Sequence, residues 1–208
     1  MKPRHIIVFL FALSNLYNSL FPKAKDCIMV SEGGYSGFWY YYGKIQKEYI
    51  LDKKIYCFSA GCLAVVANIQ HNNKEFLFTT VDNLKNQYDN NNIDRYNLRN
   101  YFIYEIANKV TDIKNYNLNI LTSNYFGNCT IITPTTKNEL IDALNITTTL
   151  PLLTSPLYYN KNIDGYFCLN NYPRCETKLT IPNKLYFYIN IFNPNINKKD
   201  IEYFMNYL

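Results

Sequence analysis

A chain of 208 residues that is 48% hydrophobic can bury a full core as one domain, and no second apolar block follows a long linker. Its formal net charge of +5 is spread along the sequence, with short pairs at Lys53-Lys54 and Lys198-Lys199. That excludes the concentrated basic face and recognisable module that nucleic-acid binding needs, and leaves weak attraction to an anionic membrane surface as a compatible property. Asn, Lys, Ile, Tyr and Phe are overused together, as AT-rich codons dictate, so most of the 21 tyrosines read as core or surface filler.

Residues 1–25 form an N-terminal apolar segment. Met1 to His5 is basic and Ile6 to Leu13 is uninterrupted apolar sequence, the order of a secretory signal. The run is short of the roughly 20 apolar residues that a membrane span requires. No Ala-x-Ala cleavage site precedes Lys25, although Ala24 offers one small residue. A helix packed on the domain or lying on a membrane surface fits the same pattern equally well, and cytoplasmic residence follows if the segment is neither signal nor anchor.

Residues 26–208 read as the domain. Aromatic and β-branched runs predict strands at 26–31, 54–58, 117–122, 129–133 and 184–192. They alternate with helical patterns at 38–49, 61–70, 96–110, 137–145 and 198–208, the arrangement of an α/β layered fold. Thr136 followed three residues later by Glu139 predicts a capping box for the fourth helix. The Asn-rich stretch 83–97 reads as a solvated loop.

None of the six cysteines forms a Cys-x-x-Cys pair and only two histidines are present, which argues against a zinc site. Several cysteines fall in predicted strands, where the favoured reading is a small apolar filler. Cys168 and Cys175 are the one pair close enough in sequence to suggest a disulfide. Asn128-Cys129-Thr130 and Asn145-Ile146-Thr147 match glycosylation sequons, which so Asn-rich a chain makes by chance.

The chemistry centres on Ile55-Tyr56-Cys57-Phe58-Ser59-Ala60-Gly61-Cys62, a strand-like run that stops at a small-residue turn and continues as a helix. A serine at such an elbow projects its hydroxyl over the sheet edge, and the helix that follows aims backbone N–H groups at the same point. Upstream, Ile28-Met29-Val30-Ser31-Glu32-Gly33-Gly34-Tyr35-Ser36-Gly37 leads a short strand into a glycine loop and an aromatic helix. Downstream, Asn162-Ile163-Asp164-Gly165-Tyr166 places an acid at the end of an extended run. Tyr35 and the aromatic run from Trp39 to Tyr42 are candidates for lining an acyl site.

Taken in order, these three segments resemble the patatin-like phospholipase family, whose pattern is Gly-Gly-x-x-Gly, then Gly-x-Ser-x-Gly, then Asp-Gly-Gly or Asp-Gly-Ala. The resemblance extends over residues 26–208: Thr147-Thr148-Thr149-Leu150-Pro151 with Ser155-Pro156 is similar to the family's approach to its aspartate, and Asn170-Asn171-Tyr172-Pro173 to the stretch after it. It implies a single-domain layered fold with a central, mostly parallel sheet flanked by helices. It also implies a lipid acyl hydrolase of phospholipase A type, with Ser59 as nucleophile and Asp164 as direct proton acceptor.

Histidine scarcity points the same way. A Ser-His-Asp triad needs an imidazole between acid and nucleophile, but His5 lies in the leader and His71 lies twelve residues beyond Ser59. The Ser59–Asp164 dyad then needs an oxyanion hole, for which Gly33 and Gly34 are the best suppliers of N–H groups. Gly37 serves helix packing, and Gly61 and Gly165 support the two turns. The scheme calls for no metal and no cofactor, and the partners it names are a lipid ester substrate and a membrane met peripherally.

Four departures from the family pattern bear on activity. Cys57 replaces the first glycine of the elbow and Glu32 the first glycine of the loop. Ser36 stands where the family often has Arg or Lys, and Tyr166 where a second small residue follows Asp-Gly. Three readings therefore stand: a lipid acyl hydrolase, a catalytically inactive patatin-like domain that binds lipid or protein, and a structural membrane-associated protein in which Ser59 is incidental.

Overall fold

The computed structural model describes residues 24–48, 50–69, 74–151, 154, 161–169, 173–190, 193 and 196–207. The N-terminal segment up to residue 23, His5, His71, Ser155-Pro156 and the stretch 170–172 lie outside the described residues. Within them, seven α-helices surround a six-stranded, mostly parallel sheet, so the expected α/β class with one central sheet is what the chain adopts.

Strand β1 (Ala24–Val30) leads through the glycine loop into helix α1 (Gly34–Glu48), and β2 (Lys54–Cys57) leads into α2 (Ser59–Ile69). Two helices follow, α3 (Lys74–Asp89) and α4 (Arg95–Asn108), then the hairpin of β3 (Leu118–Asn124) and β4 (Cys129–Ile132). Helix α5 (Lys137–Thr147), β5 (Asn162–Asp164), β6 (Cys175–Leu179), α6 (Leu185–Ile189) and α7 (Lys198–Asn206) complete the order. None of the helices among the described residues is long and apolar enough to cross a membrane.

The sheet runs β4-β3-β2-β1-β6. Strands β6, β1, β2 and β3 are mutually parallel, with Ile28 opposite Ile55 and Ile55 opposite Leu118. Parallel strands are covered on both faces and read as near-continuous apolar runs, as Ile28, Met29, Val30, Ile120 and Leu121 do, each at most 2% exposed. Strand β4 turns back antiparallel along β3, from Ser123↔Cys129 to Ile120↔Ile132. Strand β5 also pairs antiparallel with β3, at Thr122↔Asp164 through Asn124↔Asn162, just past the point where β2 ends at Cys57↔Ile120. The edge of β3 is thus shared in succession by β2 and β5.

Helix α2 is buried along its entire length, which matches a sequence with no polar stripe to turn toward water. Helix α1 packs on it with Phe38, Trp39, Tyr41 and Tyr42 all at most 2% exposed, joined by edge-on ring contacts such as Phe38–Trp39 at 4.9 Å. On its far side α1 crosses α7 at Gly43, where a Cβ would stand 2.1 Å from the Met205 carbonyl oxygen. The capping box predicted at Thr136 and Glu139 is formed, the Glu139 N–H donating to Thr136 Oγ1 at 3.2 Å.

The predicted strand at 184–192 is corrected. Residues 185–189 form helix α6, anchored by one buried ring, Phe187, against Phe204 and Tyr207. Leu185, Tyr188 and Ile189 are exposed at the i, i+3, i+4 spacing of a helix face, so the aromatic richness did not carry a strand's alternation. The predicted loop at 83–97 is likewise overturned. Helix α3 runs on to Asp89, held by Leu77, Thr80 and Leu84 on its buried side, and only 90–94 separates it from α4, whose N-cap is Asp94. Asparagine on the exposed faces hid the stripe.

The cysteine reading is overturned too. All six are paired, as Cys27–Cys175, Cys57–Cys62 and Cys129–Cys168. Cys168 and Cys175 are each bridged, but not to one another, because β6 sits beside β1 while Cys168 lies beyond the end of β5.

Candidate active site

Strand β2 ends at Cys57 and α2 begins two residues later at Ser59. Ser59 has φ +54°, a left-handed conformation that costs a non-glycine residue energy and persists only where the surroundings hold it. Its N–H donates to Thr147 Oγ1 at 3.1 Å, and the Thr147 hydroxyl donates in turn to the Leu121 carbonyl at 2.7 Å. Gly61 packs directly on the end of β1: a Cβ there would stand 2.4 Å from Ser31 O and 2.6 Å from Val30 O. The Cys57–Cys62 bridge spans the same turn.

Asp164 reaches this point on β5. Its pairing with Thr122 lies two residues along β3 from the partner of Cys57, so the acid stands beyond the C-terminal end of β2, where the elbow turns. The residue is fully buried. Its N–H donates to Thr149 O at 3.0 Å and its Oδ1 accepts the Tyr166 N–H at 2.9 Å. Gly165 is required because a Cβ would meet Leu121 O at 2.5 Å.

Asp164 Oδ2 is buried with no hydrogen-bond partner among the described residues. The carboxyl's pKa stands raised from 3.8 to about 8, with burial the largest cause: the Tyr166 N–H and the neighbouring Ser59 hydroxyl oppose the rise, the charge of Glu32 adds to it and that of Arg99 opposes it. Ser59 is therefore close enough to act on the acid's ionisation, while no hydrogen bond of ordinary length closes onto Oδ2. The contact is a near approach that leaves Oδ2 without a hydrogen-bond partner among the described residues.

The glycine loop flanks the pair. Gly34 has φ +56° and, as the first residue of α1, carries an N–H with no intrahelical acceptor. Gly33 is buried against Gly37 and Ile181. The Gly37 N–H is taken by Gly33 O at 2.9 Å, so Gly37 supports helix packing and is spent as a donor. Glu32 is half-buried, its carbonyl accepting the Tyr41 hydroxyl at 2.7 Å, and its charge reaches Asp164. Ser36 is fully buried and donates to Phe187 O at 2.8 Å, so that position ties α1 to α6. Tyr166 is absent from the cavity wall and holds the acid through its backbone.

Ser59 and Gly34 open onto a cavity of about 330 Å³ walled by Tyr35, Phe38, Leu63, Leu84, Phe102 and Leu150 among others. Of the sequence-named aromatics, Tyr35 faces this space, whereas Trp39, Tyr40, Tyr41 and Tyr42 belong to the core. Sequence reasoning missed the wall supplied by α3, whose second half falls in the stretch 83–97 read as loop, and it named no residue of α4 as part of the site although it expects that helix at 96–110. It also missed Arg99 on the cavity wall, whose guanidinium donates to Thr148 O and Thr154 Oγ1, each at 3.2 Å. Nothing local marked that arginine: beside its bonds to Asn100 Oδ1, the partners that place it on the cavity wall lie about fifty residues away in sequence.

No family model, curated protein or solved structure matches this chain.

Proposed function

We propose that this protein is a serine acyl hydrolase that cleaves carboxylic esters bearing an apolar acyl chain, phospholipids or related lipid esters being the substrates the patatin-like resemblance suggests. The observation that carries the reading is Ser59 itself: a strained strand-to-helix serine lining an apolar cavity, with a buried carboxylate oxygen of Asp164 unpartnered beside it. Strain and an unsatisfied buried acceptor both cost stability, and such costs cluster where chemistry is done.

In this scheme Asp164 accepts the Ser59 proton as the serine oxygen bonds to the ester carbonyl carbon. The tetrahedral oxyanion forms against the Gly33 and Gly34 amides. Collapse breaks the ester C–O bond and the alcohol leaves with the proton from Asp164. Water then gives a proton to Asp164 as its oxygen bonds to the acyl carbon of the acyl-serine; collapse breaks the bond to Ser59 Oγ, which takes the proton back from Asp164, and the carboxylic acid is released. The acyl chain lies along Tyr35, Phe38, Leu63 and Phe102. A patatin-like layering of the helices on the sheet is part of this proposal, as are a peripheral membrane contact and the oxidising compartment in which three disulfides persist.

The second reading, an inactive lipid- or protein-binding domain, draws on the complete burial of Asp164 with Oδ2 unpartnered, which raises its pKa to about 8 and favours the neutral carboxyl. A fluorophosphonate probe separates the two. Labelling of the wild type that disappears in Ser59→Ala and Asp164→Asn supports the hydrolase; no labelling of folded protein between neutral pH and about pH 9 supports the inactive domain.

A further inference from the structure

We infer that the Cys57–Cys62 disulfide is a positioning element for Ser59, a covalent clamp that holds the nucleophile in its left-handed conformation. The inference rests on the hydrolase reading of this same site and assigns a role that reading does not include.

Cys57 is the last residue of β2 and is fixed on both sides, opposite Val30 of β1 and Ile120 of β3. Cys62 lies in the first turn of α2. Their bridge encloses Phe58, Ser59, Ala60 and Gly61, so it ties the first turn of the helix to the middle of the sheet across the strained residue. The first-turn amides have no intrahelical acceptors; the clamp fixes their direction together with that of the serine hydroxyl. The Thr147 hydrogen bond and the contact of Gly61 with β1 act on the same turn, as an over-determined conformation requires.

Loop length separates this role from general stabilisation. A cross-link stabilises by removing chain entropy from the unfolded state, more for longer loops. Cys27–Cys175 closes a separation of 148 residues and Cys129–Cys168 one of 39, whereas Cys57–Cys62 closes only 5. The shortest loop restrains the unfolded chain least, and its effect is local. Both Cys57 and Cys62 are 0% exposed, out of reach of a thiolate in the folded state, so the bridge is a fixed part of the elbow and no redox switch.

The test is the Cys57→Ala/Cys62→Ala double variant against wild type, read by fluorophosphonate labelling across pH, thermal melting and amide hydrogen exchange at Ser59. The expected result is labelling slowed roughly 10- to 100-fold, the scale of a misplaced reacting group, with an unchanged pH midpoint and faster Ser59 amide exchange. Labelling within about two-fold of wild type, or unchanged Ser59 exchange, overturns the inference. A measurement that needs no variant to fold is graded reduction of the wild type in mild denaturant, return to native buffer without oxidant and probe treatment there, with the open bridges then scored by alkylation and mass spectrometry. Probe adduct should vanish with opening of Cys57–Cys62 and persist with opening of Cys27–Cys175, which joins β1 to β6 away from the elbow; adduct retained after Cys57–Cys62 opens overturns it. If oxidised wild type is inert to the probe at every pH, the hydrolase reading falls, and amide exchange at Ser59 in the double variant still decides whether the bridge holds the turn.

Discussion

Thr147 Oγ1 accepts the Ser59 N–H at 3.1 Å while donating to Leu121 O at 2.7 Å, so one buried hydroxyl joins the end of α5, the elbow and the central strand β3. Thr147→Val keeps the shape and removes both bonds, leaving a buried N–H and a buried C=O unsatisfied. A loss of about 1–3 kcal/mol is expected in urea unfolding, together with slower probe labelling. Thr147→Ser retains the oxygen and should recover most of both.

The ionisation of Asp164 gives a pH dependence with a definite sign. Its folded pKa, about 8, lies above its ordinary value of 3.8, so between those values the folded state binds more protons than the unfolded one. Stability is then highest below about pH 4 as far as this group is concerned, and falls as pH rises through 8. Labelling runs the opposite way, increasing with pH to a plateau above about 8, because only the carboxylate takes a proton. Asp164→Asn should abolish labelling and flatten the decline in stability. Chemical unfolding at a series of pH values checks the second half, and a variant as pH-sensitive as wild type contradicts it.

Gly61→Ala and Gly43→Ala form a matched pair. Each places a Cβ within 2.4 Å of a backbone oxygen, Ser31 O for Gly61 and Met205 O for Gly43, and each should cost about 1–3 kcal/mol by overpacking. Only Gly61 touches the elbow. In protein shown to be folded by circular dichroism, Gly61→Ala is expected to slow labelling and Gly43→Ala to leave it near the wild-type rate.

Cavity shape should govern chain length. Leu84, on α3, lines the cavity together with residues of α1, α2 and α4, so Leu84→Trp adds bulk there while leaving Ser59 and Asp164 unchanged in sequence. Hydrolysis of a long-chain p-nitrophenyl ester is expected to fall by roughly ten-fold or more relative to the acetate. An equal loss on both esters indicates that the chain does not lie in this cavity.

The parts of the site that sequence revealed are those that local chemistry dictates. A strand running into Ser59-Ala60-Gly61 and an acid before Gly165 are turns with compositional signatures, and both stand where they were expected, along with the capping box at Thr136. What escaped notice depends on distance along the chain. Six cysteines admit on the order of 15 pairings, and only the placement of β6 beside β1 selects Cys27–Cys175. Arg99 is indistinguishable in sequence from a surface arginine until the loop at Thr148 folds across it. Helix α6 misled in the other direction, because Leu185, Tyr186, Phe187 and Tyr188 have strand propensity, while only Phe187 is buried and tertiary context overrode the preference.

Strand β5 is three residues long and brings Asp164 to the serine by its alignment against β3. Successive side chains on a strand face opposite ways, so sliding β5 by one residue would turn Asp164 away and present a neighbour in its place. So short a ladder has few bonds with which to resist that slip. The Cys129–Cys168 bridge supplies the missing stop: Cys129 pairs with Ser123, which also pairs with Ile163, and Cys168 follows Asp164 by four residues. The covalent link thus works as an index pin, fixing which residue of β5 faces the elbow.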